Sequence, residues 1–203
     1  MTDGGYDAGY LATDCFWGTD AASLVREFLA SNDVEGLRVL DIGCGEGKNA
    51  NAFALAGANV LAVDCSEFAV KNGKNLFFSD LIEWQVADVT SLEWGSEAFD
   101  IVVGYGLFHC LKDASDAADL ISRIQRATKR NGINIFCTFN DRSQDLSAHP
   151  GFNPLLLGHD WYLDRYADWV ILKATDSDLH ETHPHNLIPH HHSLTRVIAE
   201  KRA

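Results

Sequence analysis

The chain has 203 residues, of which 46% are hydrophobic and 22% are charged, and this composition is typical of a folded globular protein. No stretch approaches the roughly 20 consecutive apolar residues of a membrane-spanning helix, and the first residues lack the features of a secretory signal. The formal net charge of −13 disfavours long nucleic acids and anionic membrane surfaces as partners. We therefore expect a cytoplasmic protein.

The first predicted element is a helix that Thr19 or Asp20 caps and that ends near Ser31. From residue 37 to residue 139, short apolar strands alternate with helices. The predicted strands are "LRVLDIG", "ANVLAVD", "IEWQVAD", "FDIVVGYG" and "GINIFCTF". Between them, the sequence predicts helices that end near Gly57, begin after Ser66, and extend from Asp113 to about Lys129.

Beyond residue 140 we expect an irregular segment up to residue 157 and a short helix in "HDWYLDRYAD". Two strands follow, "WVILKA" running parallel to the others and "HSLTRVIAEKR" returning antiparallel beside it. Continuous apolar runs indicate strands that are covered on both faces. The predicted fold class is therefore α/β, with a Rossmann-like doubly wound sheet that is mostly parallel, has an antiparallel last strand and carries helices on both faces.

The stretch "VLDIGCGEGKN" lies between the first strand and its helix. Glycines at such a turn let the backbone approach a ligand closely, and the start of the helix offers unpaired amides. The spacing from Gly43 to Gly47 is one residue too short for a phosphate-binding P-loop, and with Gly45 it departs from the GxGxxG dinucleotide pattern. Asp41 adds a negative charge that suits a ligand with an amino group and a sulfonium cation. The pattern favours S-adenosylmethionine.

Several motifs in order resemble those of the class I S-adenosylmethionine-dependent methyltransferases. "VLDIGCGEG" resembles the first motif, and "VLAVD" ends at Asp64, where the family has the acidic residue that holds the ribose hydroxyls. "VADVTSL" resembles the motif in which an aspartate, here Asp88, reaches the adenine amino group. "FDIVVGYGLFHCL" resembles the fourth motif, and "ATKRNGINIF" resembles the turn into the fifth strand. The predicted cofactor contacts are Trp17, Asp41, Gly43, Cys44, Gly45, Asp64, Cys65, Asp88, Val89 and Tyr105.

The resemblance implies in-line transfer of the sulfonium methyl group to a small-molecule acceptor. One domain is expected over residues 1–203, with an N-terminal lid and helix (1–36), a cofactor-binding core (37–139) and an acceptor-side part (140–203). The last part is loosely similar to the small methyltransferases of the tellurite-resistance type, through "WYLDRYADWVILK" and "RVIAEKR". Its residues Asp141, Arg142 and His149 are expected to line the acceptor pocket.

The aromatic residues of the lid allow two interpretations. Tyr6, Tyr10, Phe16 and Trp17 either pack over the sulfonium, since aromatic faces attract cations, or form an ordinary N-terminal arm on the sheet. Tyr10 and Trp17 are the better candidates for the site.

Several of these residues also have a purely structural interpretation. Asp64 is suited to cap the helix that follows it, and Asp88 is suited to satisfy loop amides. The five cysteines form no CxxC pair and are expected to be free thiols, with Cys44 and Cys65 packing beside the cofactor. His109 lies in an apolar stretch, which favours a buried histidine with satisfied hydrogen bonds over a catalytic base.

The stretch "HETHPHNLIPHHHS" holds six of the nine histidines and connects the last two predicted strands. Ligands of parallel α/β sheets bind at the carboxyl ends of the strands, so this connection is expected at the rim of the site. The connection has three alternative interpretations. It is a solvated loop, it provides an acceptor-side base or ligand through His183 and His185, or it binds a divalent transition metal. His183 and His185 lie two residues apart, as do His190 and His192. In extended backbone this spacing places both members of a pair on one side, where two pairs could converge on a metal. The predicted metal ligands are His180, His183, His185, His190 and His192.

Two other functions remain open. A metal-binding or metal-sensing protein would keep the methyltransferase fold without transfer activity. A nicotinamide-dependent oxidoreductase would use the same fold, although the glycine spacing disfavours it.

Overall fold

The computed structural model describes residues 6–182 and 187–203. Its seven strands form one sheet in the order β3-β2-β1-β4-β5-β7-β6. β7 is antiparallel to β5 and β6, and the other neighbouring strands are parallel. The strands are β1 (Arg38–Ile42), β2 (Asn59–Asp64), β3 (Ile82–Val86), β4 (Phe99–Tyr105), β5 (Thr128–Gln144), β6 (Val170–Glu181) and β7 (His190–Glu200). The predicted Rossmann-like, mostly parallel sheet is confirmed, and its last strand is inserted between the fifth and the sixth.

Six α-helices and one 3₁₀ helix occur in the described residues. They are α1 (Asp7–Ala12), α2 (Ser23–Leu29), α3 (Lys48–Leu55), α4 (Glu67–Leu76), α5 (Ala114–Ala127), α6 (His159–Asp164) and the 3₁₀ helix Phe108–Cys110. None of these helices combines the length and the apolar character needed to cross a membrane.

The predicted cap of α4 at Ser66 is confirmed, and α5 also has a side-chain cap. Ser66 Oγ accepts a hydrogen bond from the amide of Ala69 at the start of α4. The carboxylate of Asp113 accepts from the amides of Ser115 and Asp116 at the start of α5. Both caps satisfy donors that the first helical turn leaves unpaired.

The prediction that Thr19 or Asp20 caps α2 is wrong, because the helix begins at Ser23 and has no side-chain cap. The amide of Ala22 instead donates to Asn49 Oδ1 at 2.9 Å, which attaches the segment before α2 to α3. The irregular segment predicted from residue 140 is also wrong at its start. β5 continues to Gln144, which pairs with His192 after a register shift.

The alternation of side chains along the strands divides the core between the two faces of the sheet. In β4, Ile101 and Val103 face one cluster, whereas Val102 faces the other. The first cluster packs against α2 and α3, and the second packs against α5 and α6. Burial on both faces explains why these strands are continuous apolar runs.

The indole of Trp84, on β3, packs between the turn after β1 and α4. A Cβ atom at Gly47 would overlap this ring, and one at Gly73 would lie 2.5 Å from Trp84 Cη2 and 2.7 Å from the carbonyl oxygen of Glu46. Gly73 is therefore required inside a helix, where glycine is normally unfavourable. This contact fixes the distance between the turn and α4.

Gly73→Ala is expected to lower the free energy of unfolding by about 1–2 kcal/mol, because overpacking costs about 1–3 kcal/mol and outweighs a propensity gain of about 0.5–1 kcal/mol. Urea unfolding measures this change. Asn75→Ala, at an exposed position of the same helix, is the matched control and should be neutral or slightly stabilising. Equal stabilisation by both substitutions would contradict the packing argument.

Candidate active site

A cavity of about 350 Å³ opens at the carboxyl edge of the parallel strands. One end is bounded by the turn after β1 and the end of β2, and the other end is bounded by β5, β6 and β7. Its volume is within the range of small-molecule sites. The predicted cofactor contacts that line it are Trp17, Gly43, Cys44, Gly45, Asp64, Cys65 and Tyr105. A wider cleft of about 990 Å³ lies between α1 and residues 148–153, and the glycine turn does not border it.

The turn after β1 contains three glycines in the left-handed region, with φ of +62° at Gly43, +56° at Gly45 and +82° at Gly47. Other residues adopt these angles only with strain. A Cβ atom at Gly45 would lie 3.2 Å from the hydroxyl of Tyr10. Glycine at this position leaves space between the turn and the lid, as expected of a turn that approaches a ligand with its backbone.

Asp64 ends β2 and holds this turn in place. Its Oδ2 accepts a hydrogen bond from the amide of Gly45 at 2.7 Å, and its Oδ1 accepts from the amide of Ser66 at 2.9 Å. Burial raises the pKa of the carboxyl group, whereas these amides lower it. Each carboxylate oxygen has capacity for a further donor, so Asp64 can organise the turn and accept ligand hydroxyls together.

Three predicted cofactor contacts are absent from the lining of the cavity. Asp88 Oδ1 accepts hydrogen bonds from the amide of Thr90 at 2.8 Å and from its hydroxyl at 2.7 Å. Asp88 therefore satisfies a loop amide, as its structural interpretation predicts. Val89 is fully buried in the hydrophobic core. Asp41 is 1% exposed, and neither of its carboxylate oxygens has a hydrogen-bond partner of normal geometry among the described residues.

Burial changes the expected charge of Asp41. Burial raises the pKa of this carboxyl group from 3.8 to about 8. The amide of Ala50 opposes this rise, and the nearby Asp64 adds to it. The carboxyl group is therefore mostly protonated at neutral pH. The negative charge on which the sequence argument relied is therefore largely absent at pH 7.

The N-terminal arm is attached to the glycine turn by Glu46, a buried residue that the sequence argument missed. Glu46 Oε2 accepts from the amide of Phe16 at 2.7 Å, and Oε1 accepts from Asn72 Nδ2 at 3.1 Å. Trp17 Nε1 donates to the hydroxyl of Tyr10 at 3.0 Å, and both rings line the cavity. The sequence does place a carboxylate inside the glycine turn, and this was the signal that could have identified Glu46. Its partners Phe16 and Asn72 are distant in sequence, so no local pattern indicated them.

His109 lies on the 3₁₀ helix after β4 and lines the other end of the cavity. Its ring stacks on Phe139 with centroids 4.0 Å apart, and its Nδ1 accepts from the amide of Phe139 at 3.2 Å. The pKa is lowered to about 3 by burial and by the neighbouring His192 and His149. His109 is therefore a neutral imidazole with its proton on Nε2, as expected for a buried histidine with satisfied hydrogen bonds.

Of the residues expected to line the acceptor pocket, His149 borders the cavity, whereas Asp141 and Arg142 do not. His149 lines the cavity together with Glu181 and Arg196. Arg142 instead pairs with Asp176 and Asp178 on the exposed surface. Asp141 is also exposed.

The predicted histidine ligands are divided between two faces of the β6–β7 hairpin. His190 and His192 are buried, and their rings approach His149. His180 lies on the opposite face, where its ring centroid is 5.7 Å from that of His191. His183 and His185 lie outside the described residues.

Comparisons with known proteins agree with this geometry. Residues 40–136 match the family model described as "Methyltransferase domain". The chain is 31% identical over 125 residues to a demethylmenaquinone methyltransferase of Clavibacter sepedonicus. The matched region covers 61% of this chain and 49% of that protein. Residues 40–136 thus match a methyltransferase domain, which agrees with the resemblance that the motifs indicated.

Solved structures show the same fold. An S-adenosylmethionine-dependent methyltransferase from Mesorhizobium loti has a TM-score of 0.68 at 18% identity, with 89% of this chain and 99% of that chain covered. TehB from Haemophilus influenzae has a TM-score of 0.73 at 18% identity, with 90% and 63% covered, which supports the likeness to the tellurite-resistance type at the level of the fold. The chain spans about half the length of the curated relatives it matches.

Asp41→Asn is expected to increase stability at neutral pH and to flatten its pH dependence. The folded-state pKa of Asp41 is raised, so between pH 3.8 and about pH 8 the unfolded chain has lost a proton that the folded chain keeps. The stability that this group contributes falls with rising pH in that window, by up to about 1.4 kcal/mol per pH unit. Urea unfolding at a series of pH values, with the exposed Asp80→Asn as control, measures the difference. Parallel curves for wild type and Asp41→Asn would contradict the argument.

Proposed function

We propose that this protein transfers the methyl group of S-adenosylmethionine to a small-molecule acceptor bound in the cavity. One observation carries the proposal. The cavity joins the glycine turn and Asp64 at one end to His149, Glu181 and Arg196 at the other. A donor held by the turn and an acceptor held by the polar end would thus meet inside one space.

The cofactor end has the features that an adenosyl sulfonium requires. The proposed contacts are the lining residues Trp17, Gly43, Cys44, Gly45, Asp64, Cys65 and Tyr105. Asp64 would accept hydrogen bonds from the ribose hydroxyls, and the open backbone at Gly45 would lie against the ligand. The aromatic rings of Tyr10 and Trp17 would cover the sulfonium and exclude water. Asp41, Asp88 and Val89 do not line the cavity and are not among these contacts.

When bound, S-adenosylmethionine supplies a methyl group that its sulfonium already activates. The residues of this chain would mainly orient the acceptor and exclude water from the cavity. His109 is a poor candidate for a base, because its pKa is lowered to about 3. An amine or alcohol acceptor needs a base, and His183 and His185 remain predictions for that role.

Three observations support a small acceptor. The cavity has the size of a small-molecule site, and the net charge of −13 disfavours nucleic acid. The relative from Clavibacter sepedonicus is named for a methyl acceptor, demethylmenaquinone, that is a small molecule. Calorimetric titration of the wild-type protein with S-adenosylmethionine, followed by measurement of S-adenosylhomocysteine formed with a panel of small acceptors, tests the proposal. Absence of saturable heat at millimolar cofactor would overturn it, and binding without turnover of any acceptor would favour the metal-binding alternative.

Asp64→Asn is expected to weaken S-adenosylmethionine binding by about 10- to 100-fold, because the amide loses the charge and one acceptor oxygen. Calorimetry measures the affinity, and thermal unfolding verifies that the variant is folded. Glu67→Gln, which neutralises an exposed carboxylate on the next helix, is the matched control and should bind normally. Unchanged affinity in a folded Asp64→Asn protein would remove Asp64 from the site.

A further inference from the structure

Three histidine rings converge at the acceptor end of the cavity. His149 comes from the segment after β5, and His190 and His192 come from β7. His149 Nε2 lies 3.3 Å from Nε2 of His190 and 3.3 Å from Nε2 of His192. The three groups have potential ligand atoms within 4.8 Å of one another. Glu181 Oε1 lies 3.8 Å and 3.9 Å from Nε2 of the two β7 histidines.

The hydrogen bonds of the β7 histidines determine which ring nitrogen carries the proton. His190 Nδ1 lies 2.8 Å from the carbonyl oxygen of Ile188, which can only accept. His192 Nδ1 lies 2.8 Å from Gln144 Oε1. The amide nitrogen of Gln144 donates to the carbonyl oxygens of Asn140 and Ser193, so its Oε1 must be the atom that faces His192. Both β7 rings are therefore protonated on Nδ1 when neutral, and their Nε2 lone pairs point into the cluster.

The mutual position of the three rings suits a shared cation. A cation at their centre would be bound by the Nε2 atoms of His149, His190 and His192 together.

The two distances from His149 Nε2 match those between ligand nitrogens of a metal centre. Tetrahedral zinc with Zn–N bonds of about 2.0–2.1 Å separates its ligand nitrogens by about 3.3–3.4 Å. The bonds from Nδ1 to a carbonyl and to an amide oxygen are the interactions that orient histidine ligands in metal sites. The side chains of His190 and His192 have no exposed surface, which limits competition from water.

We infer that His149, His190 and His192, with Glu181, bind one divalent transition-metal cation, with zinc the first candidate. The ligand atoms come from the segment after β5, from β6 and from β7, so they are brought together only by the fold. His180 and His191 take no part, because they lie on the other face of the hairpin.

The position of the cation suggests the class of acceptor, and this step rests on the proposed function. His149 and Glu181 both line the cavity, so a cation held between them would face the acceptor. The three nitrogens would leave one position of a tetrahedral centre, which Glu181 would occupy until a substrate group displaces it, as in catalytic zinc sites with three protein ligands. A hydroxyl or thiol group bound there would lose its proton to solvent, and the resulting anion would be the nucleophile. The inferred acceptors are therefore small molecules with a metal-binding hydroxyl or thiol group.

The test uses the full chain after removal of any purification tag. Dialysis against Zn²⁺ followed by elemental analysis is expected to give one zinc per chain. Titration with Co²⁺ should give the intense visible absorption of a four- or five-coordinate centre. His149→Ala and His192→Ala should each weaken binding by more than about 100-fold. Gln144→Leu should weaken it by about 10- to 100-fold, the usual cost of losing the hydrogen-bond partner of a histidine ligand.

His191→Ala is the matched control, since His191 is adjacent to two of the ligands but faces the other side of the hairpin, where its Nε2 lies 3.0 Å from Ser143 Oγ. It should bind the metal as the wild type does. Equal losses in His191→Ala and His149→Ala would indicate adventitious binding by the histidine-rich surface and overturn the site. Absence of stoichiometric zinc in the folded wild-type protein would do the same.

Addition of acetohydroxamate to the Co²⁺-loaded protein tests whether the metal faces the acceptor. A saturable change in the visible spectrum is expected, because this oxygen ligand would occupy the open position. Stoichiometric metal binding without such a change would overturn the acceptor assignment. Calorimetric titration of the same samples with S-adenosylmethionine keeps the two proposals separate, since His149→Ala should lose the metal and retain cofactor binding.

Discussion

The site depends on the left-handed backbone of the turn after β1. Positive φ angles at Gly43, Gly45 and Gly47 shape the chain between β1 and the start of α3. Asp64 fixes the middle of this turn through the amide of Gly45. Because Asp64 ends the neighbouring parallel strand, the pairing of β1 with β2 positions both the turn and the carboxylate that holds it. The shape of the cofactor end therefore follows directly from the register of two strands.

The same turn also determines the position of the lid. Glu46 is buried and accepts hydrogen bonds from Phe16 and Asn72, so the N-terminal arm, the turn and α4 share one carboxylate. Lys48 adds a bond from its ammonium group to the carbonyl oxygen of Trp17 at 3.0 Å. Buried charge-assisted bonds of this kind are costly to break. The N-terminal arm and the glycine turn are thus held together by several buried bonds.

The other end of the cavity is formed by a different constraint, the insertion of β7 between β5 and β6. Antiparallel pairing places the start of β7 at the carboxyl edge of the sheet, beside the ends of both neighbours. Alternation along β7 then turns His190 and His192 toward the cavity and His191 away from it. Phe139 of β5 lies between the rings of His109 and His192, with a centroid distance of 4.1 Å to the latter. The histidines of this stretch that the structure describes are consequently divided into a buried pair, His190 and His192, and a second pair, His180 and His191, on the other face of the hairpin.

The sequence by itself determined the order of strands and helices, the fold class, the resemblance to methyltransferases and the position of the glycine turn, because these follow from local periodicity and from motifs with fixed spacing. It also indicated Asp64, which ends a recognisable strand. Only the tertiary structure decided that Asp41 is buried and mostly protonated at neutral pH, that Glu46 holds the lid, and that His149 meets His190 and His192. These relations depend on strand order, register and burial between residues that are distant in the chain, and no local pattern records such quantities.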